Sequence, residues 1–213
     1  MAALTSCGGG SGSGKIKMTT DRNSNFAFIL TGSGVITVDW GDGSEKVIQT
    51  LDKGHVRFEH TYYPNVGIHN ITINGDNITE FWGGDIMSLD VSRCAELTKL
   101  SITNCQLTSL DTRKNSMLKH LWCGNVALTK FDVSKNTALE TLICNGQLTN
   151  LDISKNTALK LLGFGNQLTV ATLNDLFGAL HSNAEEKYIR IDSNPGAFEC
   201  DRSIAERKGW TFQ

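Results

Sequence analysis

The chain has 213 residues with 20 Lys plus Arg against 22 Asp plus Glu, a formal net charge of −2, which gives no electrostatic attraction to nucleic acid. Hydrophobic residues make up 39%, and no run approaches the 18 or so apolar residues of a membrane-spanning helix, so a multi-pass membrane protein is excluded. Six Cys are too dilute for a disulfide-stapled scaffold.

The N-terminal stretch Leu4-Thr5-Ser6-Cys7 resembles a bacterial lipobox, in which the Cys is lipidated, and Gly8 to Gly14 is a Gly/Ser tether of flexible composition. The resemblance implies a bacterial cell-surface protein held to the outer membrane by a lipid on Cys7, with secretion as the alternative. No basic n-region or apolar h-region precedes the Cys, so a leader outside the fold is the competing reading. Residues 1–14 form the first segment.

Residues 15–76 alternate apolar and polar in KIKMTT, FAFILT, VITVDW, KVIQTL, HVRFEH and HNITIN, which predicts six short strands joined by Gly and Asp turns. Two phrases, Val38-Asp39-Trp40-Gly41-Asp42-Gly43-Ser44 and Glu59-His60-Thr61-Tyr62, resemble the polycystic-kidney-disease-type (PKD-like) β-sandwich, an immunoglobulin-like module. Asp42-Gly43 supplies a positive-φ turn, and Trp40 and Tyr62 are expected core aromatics.

Residues 77–170 carry an internal repeat. The segments LDVSRCAELTKLSITNCQLTS from Leu89, LDTRKNSMLKHLWCGNVALTK from Leu110, FDVSKNTALETLICNGQLTN from Phe131 and LDISKNTALKLLGFGNQLTV from Leu151 start 21, 21 and 20 residues apart. Their Leu-x-x-Leu-x-Leu spacing resembles the leucine-rich repeat, and the Leu-Asp-Val-Ser-Lys-Asn phrase is similar to surface leucine-rich-repeat proteins of Bacteroidota. The resemblance implies a solenoid with a parallel sheet, preceded by a degenerate unit from Ile78 and Phe81 to Leu89. Alternation sends Leu100, Ile102, Leu121, Cys123, Leu142, Cys144, Leu162 and Phe164 inward. Asp90, Asp111, Asp132 and Asp152, at one repeating position, read as turn residues of the convex side.

Residues 171–213 predict a helical C-terminal cap. ATLNDLFGALHS has helical apolar spacing, a further strand follows from Tyr188 to Asp192, and a second helix over about Arg202 to Lys208 is capped by Asp201. The fold expected is therefore mostly β with some α: a β-sandwich, four to five repeats and a cap.

No His-Glu-x-x-His, Cys-x-x-Cys or phosphate-cradling Gly loop is present, so neither metal nor cofactor is predicted. Asp42 with His60 is the nearest carboxylate–His candidate, and its expected job is structural. Cys123 and Cys144 should sit on neighbouring strands, buried and reduced. Pairing of Cys94, Cys105 and Cys200 stays open.

The remaining candidate is the concave face, where outward residues form rows: Lys99, His120, Thr141, Leu161 and Tyr188; Ser101, Trp122, Ile143, Gly163 and Arg190, extended by Trp82; and Thr103, Gly124, Asn145, Gly165 and Asp192. Solvent-facing Trp122 beside Ile143 suits contact with a protein or a glycan. The expected function is non-enzymatic surface binding or adhesion centred on Trp122, with Trp82, Lys99, His120, Ile143, Tyr188 and Arg190 around it. The alternatives are an accessory module of a carbohydrate-active system, with Glu80 and Asp192 the main outward acids, and a structural spacer without a ligand.

Overall fold

The computed structural model describes residues 14–63, 66–183 and 186–213. Cys7 and the Gly/Ser tether up to Ser13 lie outside the described residues. Among the described residues thirteen strands form one large sheet, accompanied by two short helices, α1 (Val170–Ala179) and α2 (Ser203–Glu206). The protein is mostly β, and its sheet is compatible with a leucine-rich-repeat-like solenoid.

The N-terminal strands are β1 (Gly14–Thr20), β2 (Asn25–Asp39), β3 (Val47–Asp52), β4 (Val56–Thr61) and β5 (His69–Gly75), five where the alternation predicts six. FAFILT and VITVDW are the two halves of β2, because Gly32-Ser33-Gly34 bends the strand without ending it. The pairing register shifts between Thr31 and Gly32, and Gly34 takes φ +93. A β-bulge of this kind redirects a strand while its ladder continues. The first half of β2 pairs with β4 and with β6 (Ile78–Gly84), and the second half with β3 and β5. Phe28 sits at the junction, its ring 5.3 Å from Phe58, 5.5 Å from Trp40 and 6.0 Å from Phe81. Phe81 belongs to the first repeat-like unit, so one hydrophobic core runs without interruption from the N-terminal strands into the repeats.

From β6 the sheet continues in parallel through β8 (Lys99–Cys105), β9 (His120–Val126), β10 (Thr141–Asn145), β11 (Leu161–Gly165), β12 (Lys187–Arg190) and β13 (Trp210–Phe212). Each inward residue named from the repeat pattern is buried, and Ile102, Cys123, Cys144 and Phe164 are register partners across four successive strands. Burying like residues on like residues stabilises each repeat only through its neighbours. The strand β7 (Ser88–Asp90), which pairs with β1, and the edge strand β13 carry no clear alternation, and only tertiary pairing makes them strands.

The convex side is turn chemistry. Asp90, Asp111, Asp132 and Asp152 each accept a hydrogen bond from the backbone N–H two residues on, at 2.8–3.0 Å. Hydrogen bonds from the side chain and backbone N–H of the residue two positions on lower each carboxyl pKa, that of Asp111 to about 2 with the Arg113 side chain as the main cause. Behind the turns a buried asparagine ladder joins the repeats. Asn115, Asn136 and Asn156 each donate to two carbonyls of the preceding turn at 2.8–3.0 Å.

At the C-terminal end, α1 is capped by Thr169, whose side chain accepts from the Thr172 N–H, and it buries Leu173, Leu176 and Phe177 over the last repeats. The second helix is shorter than the spacing predicts, and its N-cap is Arg202, with no cap bond from that side chain. Asp201 still accepts from the Ser203 N–H at 3.1 Å and its hydroxyl at 2.6 Å, which orders the first turn. Gly209, at φ +81, ends the segment and releases the chain into β13.

Candidate functional site

The concave rows follow from strand register. Glu80, Lys99, His120, Thr141, Leu161 and Tyr188 are successive partners, and so are Trp82, Ser101, Trp122, Ile143, Gly163 and Arg190. Because side chains alternate across a strand, each row projects from the same face. Trp82 and Trp122 lie two strands apart, about 9–10 Å at ordinary strand spacing. The small Ser101 separates them. Together with Thr103, Gly124 and Ile143 they line a shallow hollow of about 410 Å³.

Trp122 is half-buried rather than fully solvent-facing. His120, its neighbour on the same face of β9, stacks on its ring at 5.5 Å with a 13° interplanar angle, and the His120 Nδ1 lies 3.2 Å from the Thr141 hydroxyl. Burial lowers the His120 pKa and favours the neutral imidazole. Lys99 is paired with Glu80 at 3.0 Å, and Glu80 Oε2 is buried with no hydrogen-bond partner among the described residues. On Trp82 the ring of His55 packs edge-on at 4.7 Å, and His55 Nδ1 lies 3.0 Å from the Thr31 hydroxyl.

The structure brings Trp82, Trp122 and Ile143 to one hollow, with Lys99 and His120 one row away. Tyr188 and Arg190 lie elsewhere. They sit on β12, three strands from Trp122, where Tyr188 donates to Glu186 at 3.0 Å and Arg190 to Gln213 at 2.8 Å. Ile29 and Arg57 were missed by the sequence reading. Ile29 pairs with Trp82 on one side and with Arg57 on the other, so the row continues onto the N-terminal strands. No local pattern reveals this, because the antiparallel pairing of β2 with β6 joins residues about fifty positions apart.

A second hollow, of about 580 Å³, lies by the C-terminal strands and includes Lys187, Tyr188, Arg207 and Lys208. Its cations have internal work. The Lys208 ammonium donates to the carbonyls of Gly178 and Leu180 at the end of α1, Lys187 to the Asn183 carbonyl, and Arg207 to the Ser203 hydroxyl. Lys208 thereby closes the C-terminus of α1.

Asp42 and His60 meet at 2.7 Å, within a stack in which His60 lies on Trp40 at 4.9 Å and edge-on to Tyr62 at 4.7 Å. The Tyr62 hydroxyl donates to the Trp40 carbonyl at 2.9 Å. These contacts pin the turn after β2 to the segment after β4. Among the described residues no group of three His, Cys, Asp or Glu is placed to hold a metal ion, and five cysteines, Cys94, Cys105, Cys123, Cys144 and Cys200, are free and buried.

No protein-family description matches the chain, and no curated protein matches it. Among solved structures it is similar to the functional domain of InlJ from Listeria monocytogenes, a leucine-rich-repeat protein whose structure is described as including a cysteine ladder. The identity is 26%, over 57% of this chain and 35% of that one, with a TM-score of 0.36. The chain thus spans about a third of that neighbour's length, and no residue role is transferred from it.

Proposed function

We propose that this protein is a non-enzymatic binding module whose concave face takes up an extracellular partner, a protein or a glycan. The hollow between Trp82 and Trp122 is the observation that carries the reading. Two half-buried indoles two strands apart, with the small Ser101 between them, offer apolar area at low entropic cost, and aromatic anchors of this kind dominate recognition surfaces. Ile143 closes one side. Lys99, Glu80 and His120 supply polar groups one row away.

The rest of the reading rests on sequence resemblance. It makes the N-terminal strands a PKD-like module that presents the repeats, and Cys7 the lipid attachment point of a bacterial surface protein. Mass spectrometry of membrane-extracted protein tests the anchor, since an unmodified Cys7 ends that part of the proposal.

The binding site is tested with a glycan array and a surface-protein pull-down, using the soluble chain and Trp122→Ala. The expected result is a ligand captured by the parent chain and lost by the variant, with both showing the same thermal transition. A ligand bound equally well by Trp122→Ala overturns the site.

A further inference from the structure

The sheet's exposed edges are unequal. The terminal strands β7 and β13 are three residues each, and β4 places Arg57 and Glu59 outward as an exposed ion pair at 3.0 Å. Short length and surface charge are the usual protections of an edge. β3 has neither. Among the described residues it pairs only with β2, and from Val47 to Leu51 it carries no charge, Pro or Gly. Ile48 is 70% exposed, and Val35, on the neighbouring strand, is 57% exposed.

The direction of the free backbone groups is set by one bond. The Lys53 N–H donates to the Gly32 carbonyl at 2.8 Å, so residue 53 faces β2. By alternation Val47, Gln49 and Leu51 face β2 as well, and Ile48, Thr50 and Asp52 present their N–H and C=O groups to the open edge. An antiparallel partner must therefore set even-numbered residues against residues of the same orientation.

We infer that β3 is a self-pairing edge, through which a second copy of this chain adds its own β3 antiparallel about a two-fold axis at Gln49. In that register Ile48 faces the partner's Thr50, satisfying the free backbone groups of both, and half-exposed Val47 faces the partner's Leu51. The flanking charges select it. Lys46 stands opposite Asp52 and Glu45 opposite Lys53, and the two-fold repeats both pairs. A slip of two residues sets Lys46 against Thr50 or Gly54 and loses every charge match, and a slip of one turns the backbone groups away from each other. Lys46 now lies 3.0 Å from Asp39, but that pair is exposed and exchangeable. Neither side of this edge overlaps the hollow at Trp122, so the inference stands apart from the proposed binding site. A contact of one strand is small, which makes the dimer weak and concentration-dependent.

The test is sedimentation equilibrium of the full chain under reducing conditions, at about 20 mM salt so that exposed charges are not screened, from about 5 µM to about 1 mM. A monomer–dimer equilibrium is expected. Ile48→Lys and Thr50→Pro should each weaken it by about tenfold or more, the latter by deleting an N–H that β2 does not use. Lys53→Glu or Glu45→Lys alone should weaken it, and the two together should restore it to within about threefold, with circular dichroism unchanged throughout. Monomer at every concentration, a dimer indifferent to Ile48→Lys, or failure of the double charge exchange overturns the inference.

Discussion

Thr112 donates its hydroxyl to Asn136 Oδ1 at 2.8 Å inside the solenoid, and both residues are fully buried. The equivalent positions of the other repeats hold Val91, Val133 and Ile153. In line with that, among the described residues Asn115 and Asn156 have Oδ1 atoms with no partner while Asn136 has one. Thr112 therefore completes one rung of the asparagine ladder that its neighbours leave incomplete.

Thr112→Val is expected to destabilise the protein by about 1–2 kcal/mol, although it is nearly isosteric, because it strands a buried acceptor. Val133→Thr should do the reverse for Asn156 and be neutral or stabilising, where a hydroxyl in an apolar core ordinarily costs stability. Asn136→Ala removes donors to the carbonyls of Thr112 and Asn115 and should cost about 2–4 kcal/mol. Urea unfolding with an unchanged slope measures all three. Equal effects of Val133→Thr and Thr112→Val would contradict this account.

The Asp42 carboxylate is bonded by Ser44, through its side chain and its backbone N–H, and by His60, and these bonds hold its pKa well below the usual carboxylate range against the opposing effect of burial. A folded-state pKa below the unfolded one gives stability that is present above about pH 4 and is lost as the pH falls through the folded value. Asp42→Asn should therefore lower the thermal midpoint at pH 7, and the difference from the parent should shrink as the pH drops below about 4. A gap that is constant with pH would assign the loss to packing instead.

Gly41 adopts φ +77, and a Cβ there would come 2.3 Å from the Asn70 carbonyl oxygen. Gly43 has φ +85 but open space around it. Gly41→Ala should cost about 2 kcal/mol or more, from backbone strain plus a clash with main chain, and Gly43→Ala about 1 kcal/mol from strain alone. The comparison of the two midpoints in one denaturant series checks the ordering.

Burial pushes the Cys94 thiol up to about 11 and raises that of Cys105, while the hydrogen bond with Cys144 and then burial raise that of Cys123. The thiolate is the reactive form, so at pH 8 these three should alkylate at least about tenfold more slowly in the folded protein than in urea. Site-resolved mass spectrometry of the labelled chain reads this directly. Rapid native labelling of Cys123 would mean the repeats open far more often than their packing indicates.

Much of the solenoid is legible locally because its period is written into the chain. Leu100, Leu121, Leu142 and Leu162 recur at near-fixed spacing, and identical positions must stack when each repeat can bury its face only against the next. The same logic places the turn aspartates and the outward rows. Legibility fails where a residue's role depends on a distant partner. Gly32-Ser33-Gly34 reads as a turn by composition, yet the ladders on both sides hold it within a single strand. The short helix at Ser203–Glu206 and the strand at Trp210–Phe212 owe their form to docking on α1 and β12.

The sequence by itself determined the repeat, its strand positions, which residues face inward and that Trp122, Ile143 and Trp82 share a row, since all of these follow from a period of two along each strand and of 19 to 21 between strands. Tertiary structure alone decided that Ile29 and Arg57 extend that row, that His120 lies flat on Trp122, and that β3 is left with an open edge. Those outcomes depend on antiparallel pairing and side-chain packing between segments far apart in the chain, which carry no local periodicity to be read.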